Sequence, residues 1–200
     1  VTRTKGYKNI FLIGFMGAGK SSVGKKLAKR LHMGFSDLDE AIEKGLGVTV
    51  SEVFSRWGEG FFRDTESRIL RSLAQKSGQV IATGGGIVLR ECNWETMKKW
   101  GITVYLRAPI EVLWSRIEGD ASRPLLRVED PLKRAQELFS ERVSLYEKAD
   151  LIVDTENASP DDVAEDIIEK LITLHPSGCQ GKKGNTDVKD TCYKGGKRYD

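Results

Sequence analysis

Gly14-Phe15-Met16-Gly17-Ala18-Gly19-Lys20-Ser21 sets glycines, a lysine and a hydroxyl in the order G-x-x-x-x-G-K-S. Residues of these types at this spacing suit the binding of a polyphosphate. Glycines without a Cβ let the loop curl with its N–H groups turned inward. A helix that follows adds unpaired N–H groups and a partial positive charge. Lys20 supplies a mobile cation for β- and γ-phosphates, and Ser21 a hydroxyl for Mg²⁺. Gly14, Gly17, Ala18, Gly19, Lys20, Ser21 and Ser22 are therefore the expected nucleotide contacts. The plainer alternative, a glycine-rich turn with a chance Lys-Ser, is disfavoured by the flanking pattern. Ile10-Phe11-Leu12-Ile13 reads as a buried strand, and Val23, Leu27, Ala28 and Leu31 fall at helical spacing.

Other polar groups narrow the chemistry. Asp37 and Asp39 flank Leu38 where a strand meets a helix. One carboxylate suits Mg²⁺ or its water shell, and the other suits a hydroxyl proton in phosphoryl transfer. Asp39 reads equally well as a helix N-cap. Gly84-Gly85-Gly86 ends a strand, where bare backbone can approach a ligand; a tight turn is the plainer reading. Arg63 and Glu66 share a helix face, so the arginine can be held as a fork for an anion, or be a surface ion pair. Arg123 falls in a Gly-, Asp-, Ser- and Pro-rich stretch, free to close over phosphates or to stay solvated.

The elements that must position these groups alternate. Strands are expected at 9–13, 33–36, 79–83, 102–106 and 151–153. Helices are expected at 22–31, 40–44, 50–57 (with Val50, Val53, Phe54 and Trp57 on one face), 59–75, 94–100, 109–118, 132–147 and 160–174. Strand–helix alternation predicts an α/β fold: a parallel sheet with helices on both faces, its ligands at the carboxyl ends of the strands.

The 200 residues suit one domain, and 39% hydrophobic with 30% charged residues is ordinary for a globular chain. Residues 177–200 stand apart. They hold five glycines and six cations (Lys182, Lys183, Lys189, Lys194, Lys197, Arg198) against Asp187, Asp190 and Asp200, which accounts for the whole net charge of +3. They are expected to form a disordered basic tail. The neutral remainder has no basic excess of the kind nucleic-acid binders carry, so no nucleic acid is expected as partner. No apolar run approaches a membrane span and no secretory signal is visible, so no membrane is expected either. Cys92, Cys179 and Cys192 are an odd set without a tight pair, which suggests free thiols in a reduced cytoplasm.

Six motifs in order carry a family resemblance: Gly14–Ser21, Asp37-x-Asp39, Phe62-Arg63-x-x-Glu66, Thr83-Gly84-Gly85-Gly86, Arg123-Pro124-Leu125-Leu126 and Glu141-Arg142-x-x-x-Tyr146. Over residues 9–174 the chain closely resembles shikimate kinase. The resemblance implies a P-loop fold of the nucleoside-monophosphate-kinase type: five parallel strands in one kinase domain at 1–176, substrate-binding helices at about 37–66 and a mobile lid at about 119–131. It implies Mg²⁺-dependent transfer of the ATP γ-phosphoryl group to the 3-hydroxyl of shikimate by a monomer. Lys20, Asp39 and Arg123 would be catalytic, with Asp39 activating the hydroxyl. Ser21 and, through water, Asp37 would hold the metal. Asp39, Arg63, Arg142, Gly84, Gly85 and Gly86 would hold shikimate over an apolar floor of Val50, Phe54 and Phe62. Arg123 would reach the phosphates, while Arg116 and Pro160 would flank the adenine. One departure is that 154–160 lacks an arginine some relatives carry there, which leaves adenine to Arg116 and backbone groups. The rivals are a gluconate-type kinase of the same fold, and a non-catalytic ligand-sensing module; the intact Lys20 and Asp39 count against the latter.

Overall fold

Every residue of the first strand, β1 (Asn9–Ile13), is buried. A strand covered on both faces shows no polar alternation and belongs in the middle of a sheet. The computed structural model describes residues 8–120 and 123–174, and in it β1 is central. It pairs in parallel with β3 (Gln79–Ala82) on one side and β4 (Ile102–Arg107) on the other. β2 (Gly34–Asp37) lies outside β3 and β5 (Leu151–Asp154) outside β4, both parallel, giving the order β2-β3-β1-β4-β5.

Helices cover both faces because the crossovers run in both directions. The step from β1 to β2 goes one way; the steps from β2 through β3 and β4 to β5 go the other. Right-handed crossovers then place the intervening helices on opposite faces. α1 (Lys20–Leu31) packs beside α7 (Pro160–Leu174), and α3 (Val50–Ala74) beside α4 (Glu91–Trp100). α1 buries Val23, Gly24, Leu27 and Ala28. A Cβ on Gly24 would come within 2.6 Å of the Phe35 ring, so the helix lies close on β2. Asn9 ties the start of the sheet together, donating to Ala74 O at 2.7 Å and accepting from Gln79 N at 3.0 Å.

Two helices prepare the site. α2 (Leu38–Leu46) ends at Gly47 in the left-handed region, φ 72°. α3 begins on a capping box in which Thr49 and Glu52 satisfy each other's backbone N–H groups. Its expected break falls on one residue, Gly58, at φ 79°. Of the four residues expected on one face, Val53 is fully buried while Trp57 is 41% exposed and packs on Phe61. Short 3-10 turns form at Ile87–Leu89 and Pro124–Leu126, where three residues are too few to show a periodic pattern. α5 (Ile110–Ser115) is shorter than expected and starts after Pro109; α6 (Pro131–Tyr146) matches closely. Cys92 is disulfide-bonded rather than a free thiol. The expected tail at 177–200, with Cys179 and Cys192, lies outside the described residues. No helix among the described residues is long and apolar enough to cross a membrane.

Candidate active site

The phosphate loop leaves β1 at Gly14 and enters α1 at Lys20. Gly14 (φ 143°) and Gly17 (φ 80°) take backbone conformations that side chains avoid, and space forbids one as well. A Cβ would sit 2.8 Å from Leu106 O at Gly14 and 2.7 Å from Leu113 O at Gly17. The loop is thus pressed between β4 and α5. Lys20 Nζ donates to Gly14 O and Phe15 O, each at 2.8 Å, which holds the ammonium against the loop. Burial lowers its pKa to about 8, although the Asp39 carboxylate opposes the shift. Ala18 N donates to Phe15 O at 3.2 Å inside the loop, and Ser22 is exposed. Arg116 spans from Gly17 O (3.3 Å) to Thr155 O (2.6 Å), tying the loop to the turn after β5. Pro160 is exposed at the start of α7, away from the cavity described below.

Asp37 closes β2 and caps α2. Its Oδ1 accepts from Asp39 N at 3.0 Å and Glu40 N at 3.4 Å, and its Oδ2 accepts from the Ser21 hydroxyl at 2.5 Å. The cap is therefore Asp37, which corrects the N-cap reading of Asp39. Asp39, relieved of that duty, keeps a buried Oδ1 with no hydrogen-bond partner among the described residues. Burial raises its pKa, the Asp37 charge adds to the rise, and Lys20 and Arg63 oppose it. Ser21 and Asp37 place a hydroxyl and a carboxylate side by side at the mouth of the loop. Among the described residues no group of three or more His, Cys, Asp or Glu is placed to hold a metal ion by itself. Mg²⁺ commonly takes one or two protein oxygens and fills its remaining positions with phosphate and water, so this pair fits it.

Beside the loop lies a cavity of about 530 Å³. Asp39 and Gly84–Gly86 line it, as do Arg63, Arg142 and Arg123. Val50, Phe54 and Phe62 form an apolar side, with the two phenylalanine rings 4.7 Å apart. Arg63 is no surface ion pair. It is 7% exposed, donates through Nη1 to the fully buried Glu66 at 2.9 Å, and through Nη2 to Glu59 at 3.0 Å. Burial raises the pKa of Glu66 while Arg63 opposes the shift. Gly84 and Gly86 make room for this pair: a Cβ on Gly84 would lie 2.5 Å from Glu66 Oε1, and one on Gly86 2.3 Å from the Arg63 guanidinium. The glycine run is thus more than a tight turn. Arg142, on α6, is buried with its Nε unpartnered. Arg123 Nε lies 2.9 Å from Asp120.

The structure therefore gathers Asp39, Val50, Phe54, Phe62, Arg63, Gly84, Gly85, Gly86, Arg123 and Arg142 around one cavity. Lys20 reaches it through its charge on Asp39. Two features escaped sequence reasoning. Glu59 is a second partner of Arg63, signalled by its i, i+4 spacing. The Tyr146 hydroxyl donates to Gly85 O at 2.5 Å across 61 residues, which no local pattern discloses.

Comparison with known proteins adds to this geometry. The family model described as shikimate kinase matches residues 16–172. Shikimate kinase of Thermodesulfovibrio yellowstonii is 51% identical over 84% of this chain and 96% of its own; that of Caldanaerobacter subterraneus subsp. tengcongensis is 43% identical over 84% and 98%. Among solved structures, shikimate kinase from Acinetobacter baumannii in complex with shikimate superposes with a TM-score of 0.82, at 37% identity over 84% of this chain and 94% of that one. A gluconokinase from Sinorhizobium meliloti, at 18% identity and a TM-score of 0.54, shares the fold. The phosphate loop, the arginine-rimmed cavity and this pattern of relatives agree: the chain belongs to the shikimate kinase family.

Proposed function

We propose that the chain transfers the γ-phosphoryl group of ATP to the 3-hydroxyl of shikimate, giving shikimate 3-phosphate and ADP. The observation that carries this reading is the buried, unpartnered Asp39 Oδ1, in a cavity that also holds two buried arginines and opens beside the phosphate loop. An anion with several hydroxyls suits these walls. Arg63, pre-set by Glu59 and Glu66, and Arg142 would grip its carboxylate. Backbone of Gly84–Gly86 would meet ring hydroxyls, and Val50, Phe54 and Phe62 would pack the ring's apolar face.

Asp39 would accept the 3-hydroxyl proton. Its raised pKa makes it a stronger base than an ordinary aspartate. Lys20 would leave the Gly14 and Phe15 carbonyls for phosphate oxygens, and Arg123 would exchange Asp120 for them. Mg²⁺, held by Ser21 and through water by Asp37, would neutralise phosphate charge when bound. Arg116, fixed on Gly17, Thr155 and Glu156 carbonyls, would form one side of the adenine position, with Pro160 further along the same edge. Transfer of this type rests on positioning and charge. The kinase unit would comprise 1–176, with acceptor helices at 37–66 and a lid at 119–131. Both substrates are small dissolved anions, which suits a cytoplasmic monomer.

The test is a coupled ADP-release assay with shikimate, quinate and gluconate. Shikimate is expected to support turnover far above the others. Turnover with gluconate alone would overturn the assignment.

A further inference from the structure

α6 delivers more than Arg142 to the cavity. Tyr146 follows it by one helical turn and is fully buried. Its hydroxyl donates to Gly85 O at 2.5 Å. That carbonyl belongs to a peptide whose other face matters. The described residues contain no cis peptide, so Gly86 N–H points away from Gly85 O across the same amide. Gly86 lines the cavity, and its N–H has no partner among the described residues. Gly85 also neighbours the phosphate loop: a Cβ there would be in ordinary van der Waals contact with Met16 N, at 3.5 Å, and Gly14 O, at 3.6 Å.

The geometry points to Tyr146 as a positioning residue for the acceptor: its hydroxyl fixes the Gly85–Gly86 peptide plane beside the phosphate loop and aims Gly86 N–H at a substrate hydroxyl. This inference rests on the assignment of the glycine turn to shikimate.

The fold supplies a matched control. Tyr105 stacks on Tyr146 with ring centroids 5.2 Å apart and planes 22° apart, yet its buried hydroxyl has no partner. Removing either hydroxyl leaves the ring stack in place, and only one removal takes the hydrogen bond from Gly85 O. Steady-state kinetics of Tyr146→Phe and Tyr105→Phe separate positioning from packing. Tyr146→Phe is expected to raise KM for shikimate about tenfold, the size of one well-formed hydrogen bond, with KM for ATP within about twofold of the parent. Tyr105→Phe is expected to match the parent in both constants. Equal behaviour of the two variants, or a Tyr146→Phe defect shared between the two KM values, would overturn the inference.

Amide hydrogen exchange of the unaltered protein gives an arm that needs no variant. Saturating shikimate is expected to slow exchange at Gly86 about tenfold, and unchanged exchange there would overturn the inference. A parent enzyme inactive with shikimate would instead defeat the functional reading beneath it, so the two failures are told apart.

Discussion

The two halves of the site are built differently. The phosphate cup is one continuous stretch, Gly14 to Ser21, and its shape is set by backbone. Gly14 and Gly17 face carbonyls of Leu106 and Leu113 that would collide with any Cβ, and the cup's lysine is parked on two of the cup's own carbonyls. The acceptor hollow is assembled by side chains brought from Asp39, Arg63, Glu66, Arg123 and Arg142, on helices and turns at the carboxyl end of the sheet. The cup spends little on side-chain ordering, and it would serve any nucleoside triphosphate. The hollow depends on buried charge pairs that hold one geometry, and such pairs are costly when half of one is removed. On the proposed reading, selectivity for the acceptor belongs to the hollow, and affinity for polyphosphate to the cup.

Substitutions in each half should break different constants. The largest effect is expected where the halves meet. Asp39→Asn should lower kcat by about 10²–10⁴-fold, the usual range for losing a general base, with ATP binding little changed. Near-normal turnover would remove the base from the account. Lys20→Met should lower kcat by about 10²–10³-fold and weaken ATP binding, because a preorganised cation on the transferred group is lost. In the hollow, Arg63→Ala should raise KM for shikimate by a factor of about 30 or more, as expected for truncating a buried charge pair. An unchanged KM would assign the carboxylate to another group. Glu66→Ala should cost about 3–5 kcal/mol of stability by stripping Arg63 of its buried partner, read as a lower denaturation midpoint.

The pH profile sharpens the same contrast. Asp39 must be ionised to accept a proton and its pKa is raised, so kcat/KM for shikimate should fall with decreasing pH above the ordinary aspartate range. Lys20 has its pKa lowered to about 8, so in the free enzyme its charge, and with it kcat/KM for ATP, should be lost as pH rises through about 8. The two limbs should be separable by varying one substrate at a time.

The cup was legible in the sequence because its chemistry is local: strand, glycine loop, lysine and helix follow one another within 23 residues, Asn9 to Leu31. The alternation of strands and helices likewise gave the sheet. The hollow was legible only as separate fragments. Arg63 with Glu66 looked like a surface pair because helical spacing says which residues are neighbours, and says nothing of what covers them. Gly84 and Gly86 looked like a turn because their tight approach is to side chains about 20 residues earlier in the chain. Asp37 and Asp39 were exchangeable until backbone direction showed which one caps α2. The Tyr146 to Gly85 contact spans 61 residues and left no local trace.

The central claim is that cup and hollow face each other closely enough for one hydroxyl to be served by Asp39 and aimed at one phosphorus. A crystal structure with ADP and shikimate bound tests this most directly. The account expects the 3-hydroxyl oxygen about 2.6–3.2 Å from an Asp39 carboxylate oxygen, with the shikimate carboxylate on Arg63 and Arg142. A shikimate turned so that its carboxylate faces the phosphate loop and its 3-hydroxyl lies away from Asp39 would contradict it.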